Sequence, residues 1–370
     1  MNSSKLKILQ VNKLYYPHIG GIETVIQSIS ENLKDKADIK VLVCQPKGKG
    51  SVDMVNGVEV TRCSSLGTYF SMPVSFQFIS KFRKMSKDAD IVHIHVPFPL
   101  GDLACMLSNY KGKVVIYWHS DVVKQKKLLL LYKPLMEWFL KRADSIVVAT
   151  QGHIDGSKYI NRYASKCTII PYGLNLEDYT ITGDVLTKRL NVKTNKKILF
   201  VGRLVYYKGV DVLVKAFKNV YNSELFIVGN GVLEDELKSM ADTNTVHFLG
   251  SLSDKELKQA LSDCDVFVLP SVENSEAFGI VQMEAMAYGK PVVNTWLPTG
   301  VPHVSLDGIT GITVKPNDVQ ALSKAIQTLV DDNSLRTLYG NNAYERVHSV
   351  YDNRKIMRDM LDFYTKLANS

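Results

Sequence analysis

Residues 7–29 read KILQVNKLYYPHIGGIETVIQSI, and this stretch decides the fold class. An apolar run at 7–11 is followed by a loop ending in Gly20 and Gly21, and then by apolar residues with the spacing of one helix face. Glycine at a helix N-terminus lets backbone N–H groups approach a phosphate, and the helix dipole favours the negative charge. The two glycines equally fit a tight turn without a ligand. Their spacing is not GxGxxG, which disfavours a dehydrogenase.

Short runs rich in Val and Ile recur along the chain, with helical stretches between them. Because the runs are mostly apolar, they indicate strands buried on both faces, as in a parallel sheet covered by helices. The runs form two series, at 7–11, 39–43, 91–95, 114–118, 145–149 and 168–170, and then at 197–202, 225–229, 246–250, 266–270 and 291–295. The sequence therefore predicts an α/β protein with two Rossmann-like, doubly wound domains that face a central cleft, with function at the carboxyl ends of the strands.

Chain length and a polar stretch set the expected domain limits. A chain of 370 residues exceeds what one hydrophobic core usually serves. The polar stretch near 174–195 separates the two series of strands. We predict an N-terminal domain at 1–175 and a C-terminal domain at 176–350. Residues 351–370 form an amphipathic helix that we expect to pack back toward the N-terminal domain.

Composition places the chain among ordinary globular proteins, with 45% hydrophobic and 22% charged residues. No apolar run of membrane-spanning length and no signal peptide are present, so we expect a cytoplasmic protein. The five cysteines have no metal-binding spacing and are expected to be buried thiols.

The net charge of +8 is unevenly distributed, because residues 1–175 hold 24 Lys and Arg against 13 Asp and Glu. A basic first half could attract nucleic acid, an anionic lipid leaflet or a diphosphate, but no nucleic-acid recognition motif accompanies it.

Two cations follow the first strand of the second domain. The stretch FVGRLVYYKG, residues 200–209, places Arg203 directly after the strand and Lys208 five residues later. A guanidinium and an ammonium at one strand end can neutralise a diphosphate leaving group, which elsewhere requires a divalent metal. Standing alone, the same pair also fits a solvated basic loop.

Two carboxylates follow in LPSVENSEAFGIVQMEAMAYGKPVV, residues 269–293. Glu276 is expected in a loop and Glu284 about a turn and a half inside the helix that Gly279 opens. Carboxylates at such places accept hydrogen bonds from vicinal hydroxyls of sugars and ribose. A solvated helix face is the alternative for Glu284, but its apolar neighbours leave little polar surface around it. The amides that can face a phosphate here are those of Ala277, Phe278 and Gly279.

Several short motifs occur in one order along the chain: GGIE at 20–23, HSD at 119–121, GR followed by KG at 202–209, GNG at 229–231, and glutamates at 276 and 284. In this order and over nearly the whole chain, they resemble the family 4 glycosyltransferases of the GT-B fold. The stretches YYPHIGGIE, YWHSDVVKQKKLLLLYKPL and SEAFGI are similar, more narrowly, to bacterial mannosyl- and rhamnosyltransferases that build O-antigen or capsule on a lipid diphosphate carrier.

The resemblance implies that the N-terminal domain binds the acceptor and that the C-terminal domain binds the nucleotide sugar. It also implies a role for each matching residue. Arg203 and Lys208 would bind the donor diphosphate, and Glu284 the ribose hydroxyls. Glu276 and the three amides after it would bind the transferred sugar, and His119 would contact that sugar near its anomeric centre. The glycines implied at the donor are Gly20, Gly21, Gly202, Gly229, Gly231 and Gly279. Without the resemblance, a histidine at a strand end fits a structural role. We expect His119→Ala to fold normally and to lose most turnover.

The resemblance also implies the reaction, a transfer with retention of anomeric configuration that needs no metal and no cofactor beyond the nucleotide sugar. The departing phosphate would take the acceptor's proton in a front-face displacement. The sequence agrees, because DAD at 88–90 and DCD at 263–265 fall at strand starts, where Asp is a turn residue. The narrower similarity favours GDP-mannose over a UDP- or dTDP-sugar as donor, and a lipid diphosphate-linked glycan as acceptor.

Other functions and two departures from the family pattern stay open. A non-hydrolysing sugar-nucleotide epimerase shares the expected architecture but needs no acceptor, and a catalytically inactive binding module is a third reading. The chain has PYGLN at 171–175 where the family commonly has PNGVD, so no role is carried over to a hinge-loop Asp. It has TGVPH at 299–303 where many relatives have GGxPE, which leaves a donor contact there in doubt.

Residues 124–143, KQKKLLLLYKPLMEWFLKRA, combine five Lys, one Arg and four consecutive Leu. This composition is typical of an interfacial helix on anionic lipid, which would make the protein peripheral on the inner face of the cytoplasmic membrane. An ordinary amphipathic pair of helices, broken at Pro134, is the equal alternative.

Overall fold

The computed structural model describes residues 5–18, 20–69, 72–121, 126–193 and 195–370, and the side chains from 130 onward in the helix that begins at 126. The chain divides into two compact units, each described by itself below. Unit 1 comprises Met1–Ala149, Ser157–Tyr172 and Lys355–Ser370, and unit 2 comprises Thr150–Gly156 and Gly173–Arg354.

Among the described residues, ten strands belong to unit 1 and six to unit 2. Those of unit 1 are β1 Lys7–Val11, β2 Asp38–Cys44, β3 Ser51–Val55, β4 Val58–Cys63, β5 Thr68–Tyr69, β6 Met72–Pro73, β7 Ile91–Val96, β8 Lys113–Trp118, β9 Ser145–Val148 and β10 Cys167–Ile169. Those of unit 2 are β11 Lys196–Val201, β12 Ser223–Val228, β13 Val246–Gly250, β14 Val266–Leu269, β15 Val292–Thr295 and β16 Gly311–Val314.

The α-helices alternate with these strands. They are α1 Gly21–Leu33, α2 Gln77–Ser86, α3 Pro99–Ser108, α4 Lys126–Arg142, α5 Gln151–Gly156, α6 Val210–Phe217, α7 Glu234–Met240, α8 Asp254–Asp263, α9 Ile280–Ala287, α10 Val301–Val304, α11 Val319–Asp331, α12 Asn333–Val350 and α13 Asn353–Ala368. None of the described helices combines the length and the apolar character needed to cross a membrane.

Unit 1 is built on an eight-stranded sheet of order β10-β9-β8-β7-β1-β2-β4-β3. All its ladders are parallel except that of β3 with β4, which form a hairpin. The hairpin turns at Asn56 and Gly57, both with positive φ, as a tight hairpin turn requires. The sequence analysis missed this hairpin, although Asn-Gly between two strand-like runs is a strong hairpin signal.

Unit 2 is built on a parallel six-stranded sheet of order β13-β12-β11-β14-β15-β16. The chain starts at β11, builds outward through β12 and β13, and then returns to add β14 on the other side of β11. The carboxyl ends of β11 and β14 therefore form the switch point at which open α/β sheets bind ligands. The apolar runs predicted for β11 to β15 are confirmed as strands. Strand β16 was not predicted, because it is only four residues long and two of the four are only partly buried.

Helix α4 corrects one expectation. The predicted pair of helices broken at Pro134 is wrong, since a single helix runs from Lys126 to Arg142 with Pro134 inside it. A proline inside a helix costs about 3 kcal/mol because one hydrogen bond is lost. Burial of Met136, Phe139 and Leu140 offsets that cost at roughly 1.5–3 kcal/mol for each side chain.

Candidate functional site

The candidate residues of unit 2 follow the carboxyl ends of three neighbouring strands. Gly202 and Arg203 come after β11, and the GNG motif at 229–231 comes after β12. Ser271 and Glu276 come after β14. The sheet order therefore places these loops side by side at the switch point.

Glycines allow the loops after β11 and β12 to touch. Gly229 has a φ of +123°, and a Cβ there would lie 2.1 Å from the carbonyl oxygen of Gly202. A Cβ at Gly231 would lie 2.2 Å from the carbonyl oxygen of Leu204. The amide of Leu204 donates to the carbonyl of Asn230 at 3.0 Å. A larger residue at either glycine position would separate the two loops.

The loop that carries Lys208 is held against the end of β14. Gly209 has a φ of +65°, and a Cβ there would lie 2.1 Å from the carbonyl oxygen of Pro270. The amide of Val272 donates to the carbonyl of Tyr207 at 2.8 Å. This backbone approach brings the Lys208 side chain to the loop after β14.

Lys208 and Glu276 form a largely buried ion pair. The Lys208 Nζ lies 2.5 Å from the Glu276 Oε2, and the two side chains are 12% and 10% exposed. The Ser271 hydroxyl donates to the same carboxylate oxygen at 3.1 Å. Two residues that the sequence assigned to one site are therefore in contact, and the Glu276 carboxylate is fixed by a cation and a hydroxyl.

Arg203 is the exposed cation of this group. Its Nη2 donates to the Tyr207 hydroxyl at 2.9 Å, and it forms no ion pair with any residue that the structure describes. Since Lys208 is already balanced by Glu276, the net positive charge of the three side chains resides on Arg203. The arrangement can receive an anion at Arg203 and hold it beside a pre-formed Lys–Glu pair.

The loop after Glu276 is fixed by its carbonyl groups. The Gly300 amide donates to the carbonyl of Ala277 at 2.7 Å, and the Gln282 Nε2 donates to the carbonyl of Phe278 at 2.8 Å. In a trans peptide the N–H points opposite to the C=O, so the amides of Phe278 and Gly279 point away from Gly300 and Gln282. Because the directions of these backbone N–H groups are fixed, they can donate hydrogen bonds to hydroxyl or phosphate oxygens without reorganisation of the loop.

Glu284 lies on α9, four residues after its first residue. Its Oε1 accepts a hydrogen bond of 2.9 Å from the hydroxyl of Tyr179, which lies in a 3-10 turn, Leu176–Thr180, of the polar linker. Burial raises the pKa of Glu284, and the Asp254 carboxylate raises it further, whereas the Tyr179 hydroxyl and Lys258 lower it. Glu284 is therefore a partly buried carboxyl group whose surroundings favour its neutral form, as its apolar neighbours suggested. The sequence analysis gave no role to Tyr179.

In unit 1, Gly20 and Gly21 begin helix α1. Gly20 is the N-cap residue in an extended conformation, and its carbonyl accepts from both the amide and the hydroxyl of Thr24. A Cβ at Gly20 would lie 2.3 Å from the Oε2 of Glu23, a buried carboxylate in the first turn. The positive end of the helix dipole thus already has a negative partner.

His119 follows β8 and is buried, with both ring nitrogens engaged inside unit 1. Its Nε2 lies 2.9 Å from the Nδ1 of His95, and its Nδ1 lies 2.7 Å from the Tyr172 hydroxyl. The His95 Nε2 lies 3.0 Å from the Gln10 Oε1, and the Gln10 Nε2 donates to the Tyr364 hydroxyl at 2.9 Å. These five residues, called the buried histidine chain below, connect β1, β7 and β8 to α13.

The direction of the hydrogen bonds in the buried histidine chain follows from Gln10. Burial lowers the pKa of His95 well below its ordinary value, so this ring is neutral. Because the Gln10 carbonyl oxygen can only accept, the His95 Nε2 donates to it and the His95 Nδ1 accepts from the His119 Nε2. In a neutral His119 ring the Nδ1 then accepts from the Tyr172 hydroxyl. One tautomer of His119 is thereby fixed.

In the two DxD motifs, the carboxylates of Asp90, Asp263 and Asp265 accept hydrogen bonds from backbone amides of other segments. The Asp263 carboxylate accepts from the Leu186 and Thr187 amides at 2.8 Å each and pairs with Lys197 at 3.2 Å. The Asp90 Oδ2 accepts from the Lys7 amide at 2.8 Å. Within the described ranges, no group of three or more His, Cys, Asp or Glu side chains could hold a metal ion.

No role had been predicted from the sequence for Tyr207, Ser271, Tyr179 or the other four members of the buried histidine chain, Gln10, His95, Tyr172 and Tyr364. A signal existed for His95, since IVHIH at 91–95 places polar side chains in a run otherwise typical of a buried strand. The contacts of Tyr179 and Ser271 depend on residues far away in sequence or on loop geometry, so no local pattern indicates them.

Comparisons with known proteins agree with the geometry. The model of glycosyltransferase family 4 matches residues 19–178, and that of glycosyl transferases group 1 matches residues 185–346. O-antigen chain mannosyltransferase C of Escherichia coli is 30% identical over 99% of this chain and 100% of its own length. D-rhamnosyltransferase WbpZ of Pseudomonas aeruginosa is 31% identical over 94% of this chain and 92% of its own length.

A solved structure shows the same fold. The Anabaena protein HepE in complex with UDP has a TM-score of 0.78 over 98% of this chain and 100% of that chain, at 19% identity. The two sheets, the order of the motifs and the two relatives lead to one conclusion: the chain belongs to the family 4 glycosyltransferases of the GT-B fold and is a hexosyltransferase.

Proposed function

We propose that the protein transfers a hexose with retention of configuration, and without a metal ion, from a nucleotide sugar to a lipid-linked or growing surface polysaccharide. GDP-mannose is the preferred donor, and a UDP- or dTDP-sugar is the alternative. The names of the two relatives support a mannosyl or rhamnosyl reaction on O-antigen. The UDP bound by HepE supports a nucleotide donor for this fold.

One observation carries the proposal: exposed Arg203 lies in the same loop as Lys208, which pairs with Glu276 from the loop after β14, at the switch point of the unit 2 sheet. A diphosphate needs positive charge when the bond from the sugar to its phosphate breaks. Two unit charges 4 Å apart attract by about 4 kcal/mol at an effective dielectric constant near 20. Arg203 can supply this attraction directly, and Lys208 can share its charge between Glu276 and the phosphate.

In the proposed reaction the bond from the anomeric carbon to the diphosphate oxygen breaks, and a bond to the acceptor hydroxyl oxygen forms on the same face. The acceptor's proton passes to the departing phosphate, so charge and atoms balance. Glu276 and the amides of Ala277, Phe278 and Gly279 would hold the sugar, with Gly202, Gly229 and Gly231 shaping the donor loops. His119 would contact the sugar, and Gly20 and Gly21 the diphosphate.

A donor screen tests the proposal. Wild-type protein would be mixed with GDP-mannose, a UDP-sugar or a dTDP-sugar, and its melting temperature and nucleotide release would be followed. A donor at 100 times its dissociation constant adds about 2.7 kcal/mol of stability. We expect GDP-mannose to give the largest shift, with rapid release of GDP only when a lipid diphosphate-linked glycan is present. Conversion of the nucleotide sugar without an acceptor would identify an epimerase, and no response to any donor would contradict the assignment.

We also propose that the protein lies at the inner face of the cytoplasmic membrane. On α4, Leu130 and Leu131 are 75% and 83% exposed beside exposed Lys133, which is the composition of a surface that meets anionic lipid. Lys124 lies outside the described residues, as do the side chains of Lys126 and Lys127. Flotation with anionic but not neutral liposomes would support this location, and equal behaviour with both would contradict it.

A further inference from the structure

A residue of the linker between the two series of strands, Tyr179, forms a hydrogen bond with Glu284, the candidate ribose-binding residue. Tyr179 lies in the 3-10 turn Leu176–Thr180, and its hydroxyl donates to the Oε1 of Glu284 at 2.9 Å. The two residues are 105 positions apart in sequence. This contact is therefore made by tertiary folding, and it uses one of the two carboxylate oxygens.

The Tyr179 ring is held in place from two sides. The Tyr288 ring packs edge-on against it with 5.8 Å between ring centroids, and the Lys258 Nζ lies 5.6 Å from its centroid. Lys258 also pairs with Asp254 at 3.0 Å. The titratable groups that face Glu284 are thus Tyr179 from the linker turn, Asp254 and Lys258 from α8, and Tyr288 at the end of α9.

A desolvated carboxylate needs such a partner to act as an acceptor. The hydroxyls of a ribose donate their hydrogen bonds most strongly to an ionised carboxylate. Burial and Asp254 favour the neutral carboxyl form of Glu284, and the Tyr179 hydroxyl opposes them because it donates to the charged form. It also restricts the rotation of the side chain, so that Oε2 keeps one direction.

We propose that Tyr179 is a positioning residue for the nucleotide: its hydrogen bond fixes Glu284 as an ionised acceptor whose second oxygen receives the ribose hydroxyls. The inference rests on the proposed function, in which Glu284 binds the ribose. It adds a linker residue to the donor site and predicts that the linker affects recognition of the nucleotide.

The test compares Tyr179→Phe with Tyr288→Phe as the matched control. Tyr288→Phe removes a hydroxyl that has no hydrogen-bond partner among the described residues, from a ring that touches Tyr179. Calorimetry would give the affinities for GDP and 2′-deoxy-GDP, or for UDP and 2′-deoxy-UDP if the donor screen favours uridine. We expect Tyr179→Phe to weaken the ribonucleotide about 5- to 20-fold, which corresponds to about 1–1.8 kcal/mol, and the deoxynucleotide much less. Tyr288→Phe should change neither.

Two further measurements separate positioning from a merely structural role. Tyr179→Phe should raise the KM of the donor while kcat at saturation stays within about twofold. Because the variant loses the group that favours ionised Glu284, nucleotide affinity should begin to fall at a higher pH than in the wild type as the solution is acidified. Equal weakening of ribo- and deoxynucleotide, or an unchanged pH profile, would overturn the inference.

Glu284→Gln distinguishes failure of the inference from failure of the proposed function. If Glu284→Gln removes the preference for ribose and Tyr179→Phe does not, only the role of Tyr179 is wrong. If neither variant changes this preference, Glu284 does not bind ribose, and both proposals about this residue are wrong.

Discussion

In unit 2, the candidate side chains of Arg203, Lys208 and Glu276 lie on loops and carry charge, whereas in unit 1 the candidate His119 follows a strand and is held by hydrogen bonds to a neutral histidine and a tyrosine. In unit 2, close backbone approach at Gly209 and Gly229 fixes the loops, and an exposed Arg203 stands beside a buried ion pair. In unit 1, the buried histidine chain fixes hydrogen positions instead of charges. Under the proposed function, unit 2 would supply electrostatic stabilisation and unit 1 a fixed hydrogen-bond direction.

The largest effect is expected for Arg203→Ala. Removal of a charge that stabilises a developing anion typically costs 10²–10³ in kcat. Because Arg203 is exposed and bonded only to Tyr207 among the described residues, the melting temperature should change little. Initial rates of nucleotide release and a melting curve check both points. Tyr207→Phe, which removes only the hydroxyl bonded to Arg203, is the matched control and should lose much less activity. Near-normal turnover of Arg203→Ala would contradict the proposal that unit 2 takes part in catalysis.

A smaller loss, roughly 10- to 100-fold in turnover, is expected for His119→Ala. The variant leaves the His95 Nδ1 and the Tyr172 hydroxyl without His119, and an unsatisfied buried polar group costs about 1–3 kcal/mol. The structure thus modifies the expectation of normal folding: the variant should fold, with a lower melting temperature.

His119→Asn is the control for that experiment, because an amide can satisfy both neighbours. It should recover stability but not turnover. If His119→Asn were fully active, His119 would be a structural residue of unit 1 only.

The smallest effect concerns stability and pH. Burial lowers the pKa of His93 to about 3, so the ring is neutral in the folded protein and charges on unfolding below about pH 6.5. Its folded pKa lies below its unfolded value, so stability is full above pH 6.5 and falls as the pH decreases toward 3, by up to about 1.4 kcal/mol per pH unit. His93→Phe should unfold in urea with a weaker pH dependence between pH 6.5 and 4.5. An unchanged pH dependence would contradict a neutral His93 in the folded protein.

The same contrast explains what could be predicted from sequence. Buried parallel strands such as VVIYW at 114–118 are apolar throughout, so their existence and their positions along the chain could be predicted directly from the sequence. The positions of Arg203, Lys208 and Glu276 could be predicted because each follows a strand end, and parallel strands bring their carboxyl ends to one edge.

Contacts that depend on tertiary geometry could not be predicted. The bond between Tyr179 and Glu284 joins a linker to a helix, and no periodicity indicates it. The ion pair of Lys208 also could not be predicted, because the sequence shows two cations but not that one of them pairs with Glu276. The sequence left open whether the helix breaks at Pro134, because local propensity disfavours a continuous helix that the burial of Phe139 and its neighbours stabilises.

The central claim is that Arg203 and Lys208, rather than a bound cation, offset the charge of the donor diphosphate. The most direct measurement is the rate of nucleotide release from donor and acceptor in excess EDTA and in millimolar Mg²⁺. The account predicts rates within about twofold of each other, with Arg203→Ala slow in both solutions. A loss of activity in EDTA that Mg²⁺ restores would contradict it.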